Sequence, residues 1–168
     1  LEVQTGAAAI TVGTITAANL GTLTTGSVTG EVVVGNVGAS ALTSISVAST
    51  GAGGAIVGTI GQTAVLDSVS MSSAANLASD MDLGAITAAG SSISTVSVDL
   101  AGAYAASSLG AIGAKNIGTV TINALGGTGT SFTTDTITAT GVAATGGAIG
   151  DVTITSADLV VIGNIGTA

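Results

Sequence analysis

One pattern limits the fold of this chain more than any other: an apolar residue, two small or polar residues and a second apolar residue, recurring at a nearly fixed distance. The first set is Val12/Ile15, Val34/Val37, Val57/Ile60, Leu83/Ile86, Leu109/Ile112 and Ile162/Ile165, each with Gly directly after the first apolar residue. Thr134-Asp135-Thr136-Ile137 falls in the one gap of double length, and the mean spacing from 12 to 162 is then 25 residues. The second set is Leu20/Leu23, Leu42/Ile45, Leu66/Val69, Ile93/Val96, Ile117/Val120 and Ile149/Val152. It follows the first at offsets of 8, 8, 9, 10, 8 and 15 residues, the last marking Thr140–Gly147 as an inserted Gly/Ala/Thr-rich loop.

After the second motif the chain alternates apolar and hydroxyl residues, as in Ile45-Ser46-Val47, Val96-Ser97-Val98 and Val120-Thr121-Ile122. Period two with β-branched residues is a strand signal. Short strands at about one set per 25 residues fit a coil that wraps once per repeat, so that equivalent strands stack in parallel. The expected fold is therefore all-β: a parallel β-solenoid, or β-helix, of about seven coils, and about 34 Å long at the strand spacing of stacked coils. Gly after the first apolar residue suits a corner, and the absence of Pro suits a stack in which every strand donates to a neighbour. The expected inward residues are Ile15, Leu23, Val37, Ile45, Ile60, Val69, Ile86, Val96, Ile112, Val120, Val152 and Ile165. Between each second motif and the next first motif lies a variable segment: Thr25–Val33, Ala48–Ile56, Ser72–Asp82, Leu100–Ser108, Ala124–Thr133 and Ser156–Val161. Two of these, Ser72–Asp82 and Leu100–Ser108, are Ala-rich enough to allow a short helical turn. Composition is uniform, so residues 1–168 read as one continuous array, and the leading Leu1 reads as a processed chain or part of a longer chain or assembly.

Composition excludes several functions. Ala, Gly, Thr and Ser fill 102 of 168 positions, and the only aromatics are Tyr104 and Phe132. Apolar runs such as Val32–Val34 and Leu159–Ile162 are far shorter than the roughly 20 residues of a membrane-spanning helix. A net charge of −8 with Lys115 as the single basic residue cannot neutralise phosphates, so nucleic acid and anionic membrane surfaces are excluded as partners. With no His or Cys there is no Ser-His-Asp or Cys-His constellation and no thiolate metal site. Two aromatics also supply little platform for a sugar substrate. The chain is expected not to be an enzyme, and no cofactor is expected.

Stretches such as Thr16–Thr24 and Ala114–Ile122, rich in Ala, Gly, Thr and Ser, resemble the parallel β-helices of prokaryotic surface-layer proteins and large fibrous adhesins. The likeness lies in composition and repeat and covers the whole chain. It implies a structural role at the cell surface or outside the cell. The nonapeptide GGxGxDx repeat of calcium-folded solenoids is absent, which argues against a fold that depends on calcium.

Two sets of residues are candidate sites. Asp80, Asp82, Asp135, Asp158 and Glu31 fall on the variable segments with Asp99 at their edge, and oxygen-rich sets of this kind suit Ca²⁺. Asp80, Asp82 and Asp99 are the weak calcium candidates, against the plainer reading of a solubilising acidic rim. The second set is a hydroxyl ladder flanking the inward residue of each second-motif strand: Thr22/Thr24, Ser44/Ser46, Ser68/Ser70, Thr95/Ser97, Thr119/Thr121 and Asp151/Thr153. A flat Thr-x-Thr array resembles the ice-binding face of some solenoid antifreeze proteins, and it also suits glycan contact or O-linked sugar. The plainer reading is that Ser and Thr are good outward β residues. The expected partners are other copies of the chain, end to end or laterally, with glycans and divalent cations as further candidates.

Overall fold

A computed structural model describes residues 1–62, 66–74, 77, 80–101, 106–125, 131–141, 147–156 and 159–167. All regular structure among them is β, and every strand pair is parallel. The protein is a parallel β-solenoid, as the repeat predicts, with about six turns linking seven stacked rungs. Ile15, Val37, Ile60, Ile86, Ile112, Ile137 and Ile165 lie in one column, at steps of 22, 23, 26, 26, 25 and 28 residues.

Each turn has three sides. The short-strand side is a seven-stranded sheet of β2 (Ile10–Val12), β4 (Val32–Val34), β6 (Ala55–Val57), β9 (Met81–Leu83), β11 (Ala106–Leu109), β13 (Ser131–Thr134) and β16 (Leu159–Ile162). The other two sides share a ten-stranded sheet. In four turns one bent strand crosses both: β3 (Ile15–Ser27), β5 (Val37–Ser49), β10 (Ile86–Leu100) and β12 (Ile112–Ala124). Elsewhere the two sides carry separate strands. The middle side has β7 (Ile60–Gln62), β14 (Ile137–Ala139) and β17 (Ile165–Thr167), and the hydroxyl side has β1 (Glu2–Thr5), β8 (Ser68–Ser73) and β15 (Val152–Ser156).

The two motifs are the first two corners, for a geometric reason. Side chains three apart on a regular strand point to opposite faces. Here Val34 and Val37, Leu42 and Ile45, Leu83 and Ile86, and Ile93 and Val96 are all buried, so the chain must turn between the members of each pair. The first motif joins the short-strand side to the middle side. The second joins the middle side to the hydroxyl side, where the ladder registers shift. Glycine at the first corner answers to close stacking: a Cβ on Gly84 would stand 2.7 Å from the Gly58 carbonyl carbon, and one on Gly110 would stand 2.6 Å from the Ala85 nitrogen. Gly21, at the second corner of the first turn, has a φ of 66°, a conformation that favours glycine.

Nine of the twelve residues expected inside are buried. Ile15, Val152 and Ile165 occupy the same inward columns but in the first and last turns, where Val152 is 41% exposed. Thr134 and Ile137 do fill the skipped member of the first set: Thr134 pairs with Leu109 and Ile162, and Ile137 with Ile112 and Ile165. The variable segments are more regular than expected, because each begins as the end of a hydroxyl-side strand and finishes in a short-strand-side strand. Ser72 and Ser73 are strand, as are Met81, Asp82 and 106–108. The remainder of the two Ala-rich segments lies partly outside the described residues, as does most of the inserted loop, at 142–146. Ile149 closes that insertion by bridging to Ile117.

The interior is mainly apolar; buried hydroxyls stand at Thr25, Ser91, Ser107 and Thr134, and as a group at the third corner. There Thr5, Ser27, Ser49 and Ser73 continue one inward column, and all are buried. The hydroxyls of Ser27 and Ser49 donate to the Gly53 carbonyl at 2.8 and 2.5 Å, tying the irregular connection to the strand ends. Buried hydroxyls normally need such partners. Thr25 Oγ1 and Ser73 Oγ have none among the described residues.

Candidate functional site

The hydroxyl side is the most regular outward surface. Thr22, Ser44, Ser68, Thr95 and Thr119 form one column by strand register. Thr24, Ser46, Ser70, Ser97, Thr121 and Thr153 form the next. None of the eleven is buried. Neighbouring rungs are about 4.8 Å apart and the two columns about 6.6 Å apart across one intervening inward residue, so the hydroxyls make a two-dimensional grid. Asp151 leads into the last rung, ahead of Val152 and Thr153.

Little of this grid is engaged within the protein. Ser44 Oγ donates to Thr22 Oγ1 at 3.1 Å, and Ser70 Oγ donates to the Ile45 carbonyl at 3.3 Å. The remaining eight ladder hydroxyls make no side-chain hydrogen bond among the described residues. A third outward column beside them runs Gln4, Gly26, Ala48, Ser72, Asp99, Asn123 and Thr155. The face therefore offers paired donors and acceptors at a fixed repeat, with carboxylates only at its margins: Asp99 in the third column, Glu2 beside Thr24 on the first rung and Asp151 on the last. Such a surface can order water or a polyhydroxylated ligand through hydrogen bonds. Ser hydroxyls are freer to rotate than those of Thr, whose branched Cβ stiffens χ1, so the Ser-rich rungs are the less preorganised half.

No protein-family model, curated protein or solved structure matches the chain.

The acidic candidates separate into different places. Asp82 is in β9 on the short-strand side, where its Oδ1 accepts from Ser108 Oγ at 2.6 Å. Asp80 precedes the same strand and accepts the Ala106 N–H at 3.2 Å. Both acids tie one turn to the next. Asp99 lies on the hydroxyl side, so the three candidate calcium ligands are divided between two sheets. Among the described residues no three acidic groups gather into a set that could hold a metal ion. Asp135, expected on a variable segment, instead stands at the first corner between β13 and β14, where its Oδ1 accepts the Thr136 N–H at 2.7 Å. Asp158 and Tyr104 lie outside the described residues.

Polar hooks between turns escape a reading based on strand period. Asn36 Oδ1 accepts the Thr59 N–H at 3.0 Å, and Asn116 Oδ1 accepts the Ala148 N–H at 3.1 Å while its Nδ2 donates to Ser92 Oγ. Asp67 accepts from Ser94 Oγ in the same manner. The available signal was an Asn or Asp at a corner motif, where a short amide or carboxylate reaches free backbone groups.

Proposed function

We propose that the chain is a structural protein, a β-solenoid building block of an extracellular filament or cell-surface layer. The observation that carries this reading is the unbroken run of inward columns: apolar side chains fill the turns from rung to rung, making a rod with a packed interior. In such a repeat each turn is stabilised chiefly by its neighbours, so length is set by turn number alone. A rod with a uniform cross-section suits an extended material. The single Lys also fits an exposed setting, because trypsin has one cleavage point even in the unfolded chain. Immunogold labelling of intact and of broken cells that carry the protein tests the reading. Regular label on the outside of intact cells is expected; label confined to the interior of broken cells would overturn it.

The hydroxyl grid favours a second reading, an ice- or glycan-binding face. Thermal hysteresis of the purified chain tests the ice arm, and binding to an insoluble polysaccharide the other. If either reading holds, Thr95→Leu with Thr119→Leu abolishes the signal, since both hydroxyls stand exposed on adjacent rungs.

A further inference from the structure

Two sides of the coil carry outward columns that match in size. The middle-side column includes Gly38, Gly61, Gly113 and Gly166, with threonine at its other positions. The fold does not call for these glycines. A Cβ on Gly61, Gly113 or Gly166 would meet nothing within 4 Å, and one on Gly38 would meet only the Ile15 carbonyl oxygen, at 4.0 Å. None of the four has a φ in the left-handed region. Glycine inside a strand costs conformational entropy and leaves no side chain to pack, and it suits a place where another surface approaches closely. Five residues before each of these glycines stands the outward short-strand-side residue of the same turn: Val33, Ile56, Ser108 and Val161. Where the middle column has Thr87 or Thr138, the residue five before is Asp82 or Thr133. Aliphatic residues therefore enter one column only in turns that place glycine in the other.

Charge is divided between the same two sides. Lys115, the only basic side chain, is exposed on the middle side, whose stretches between the two corner motifs contain no acidic residue in any turn. Asp80 and Asp82 stand on the short-strand side. With two rods parallel and their turns level, the middle side of one can face the short-strand side of the other. All sides wind in one sense, so the facing strands run in opposite directions. Lys115, two residues past Gly113, then lies opposite the position two residues before Ser108, which is Ala106. Asp80 Oδ1 accepts the Ala106 N–H at 3.2 Å, and this brings its carboxylate to that rung. In the same register Val33 faces Gly38 and Ile56 faces Gly61. Sheets pack about 10 Å apart face to face, and an aliphatic residue opposite glycine fills that gap without overlap. One register satisfies size and charge together.

From this match we infer that a second copy of the chain docks side by side with the first, its short-strand side on the first copy's middle side. The inference rests on the structural reading above and names its partner. Turns added to such a coil lengthen both sides and cover neither. The contact is heterologous, using a different side of each copy, so its repetition gives a ring or a row of parallel rods. At physiological salt the screening length is about 8 Å, so repulsion between the remaining acids of neighbouring rods is damped while Lys115 and Asp80, in contact, still attract.

Zero-length carbodiimide coupling tests the register on the unaltered chain, because its only amines are Lys115 and the N-terminus. When copies labelled with heavy and light nitrogen are mixed, the covalent dimer is expected to join Lys115 of one copy to Asp80 of the other. No dimer at any concentration, or links from Lys115 to acids outside the short-strand side, would overturn the contact. Sedimentation at rising concentration gives a second test. Gly61→Leu, at a position with open space in the single chain, is expected to weaken association by about ten-fold or more, because Ile56 of the next copy would meet the new side chain. Gly113→Leu, equally open, is expected to act alike, whereas Thr119→Leu on the hydroxyl side is expected to leave association unchanged. Equal association of the glycine variants and the unaltered chain would overturn the contact, and an unchanged β-sheet circular dichroism spectrum verifies that each variant is folded. The contact and the surface role fail separately: a register-specific dimer with label only inside cells keeps the contact and removes the role, whereas outside label on a chain that stays monomeric does the reverse.

Discussion

Val120 and Val152 occupy one inward column on successive rungs, yet the first is fully buried and the second is 41% exposed. The residue type is the same and so is the orientation; only the presence of a following turn differs. Gly84 and Gly13 make the same contrast at the first corner. A Cβ on Gly84 would strike the backbone of the turn before it, whereas one on Gly13 would meet nothing within 4 Å. Inner turns and end turns are thus built alike and stabilised unequally. In this fold the sequence of a turn sets its shape, and its neighbours set its stability.

The largest expected effect is that of an inward charge. Val96→Asp would bury an unpaired carboxylate between two apolar rungs and is expected to cost several kcal/mol, of the order typical for a buried group without a partner. Val152→Asp, on an exposed rung, is expected to cost about 1 kcal/mol or less in the dilute chain. Urea unfolding of both variants checks the difference, and equal losses would mean that the last turn is already covered. The next effect is at the corner. Gly84→Ala is expected to destabilise by about 1–3 kcal/mol through overpacking. Gly13→Ala is expected to be neutral or stabilising by about 0.5–1 kcal/mol in the dilute chain. Urea unfolding of the two glycine variants checks this pair as well. The smallest effect is on the outward face, where inner and end turns should not differ. Thr121→Ala and Thr153→Ala are each expected to shift stability by less than about 0.5 kcal/mol, and a larger loss at either would show that the hydroxyl columns are covered.

The solenoid was legible because its corner motifs violate strand period in a regular way. Two apolar residues three apart cannot share a face without a bend, and the paired motifs place two bends in every repeat. Thr134–Ile137 was legible as a member of the first set although Thr134 is polar, because position in the repeat outweighed residue type. The short-strand side was harder to see. Its strands are only three or four residues long, and Val32-Val33-Val34 carries no alternation even though Val33 faces outward. The buried serine column was also hidden. Ser27, Ser49 and Ser73 look like members of the outward ladder by residue type, yet each stands four residues after an inward apolar residue, so the strand period itself places it inside. Of the candidate site, the two outward columns were legible because period two fixes the face. The separation of Asp80 and Asp82 from Asp99 was not, since it depends on a corner whose connecting residues differ in every turn.

Native-state hydrogen exchange of the dilute chain tests most directly that the stability of a turn is set by its neighbours. Amides of β15, β16 and β17 and of β2 and the first half of β3 are expected to exchange much faster than those of β10 and β12, which have a rung on either side. Equal protection of the outer and inner strands would contradict the account.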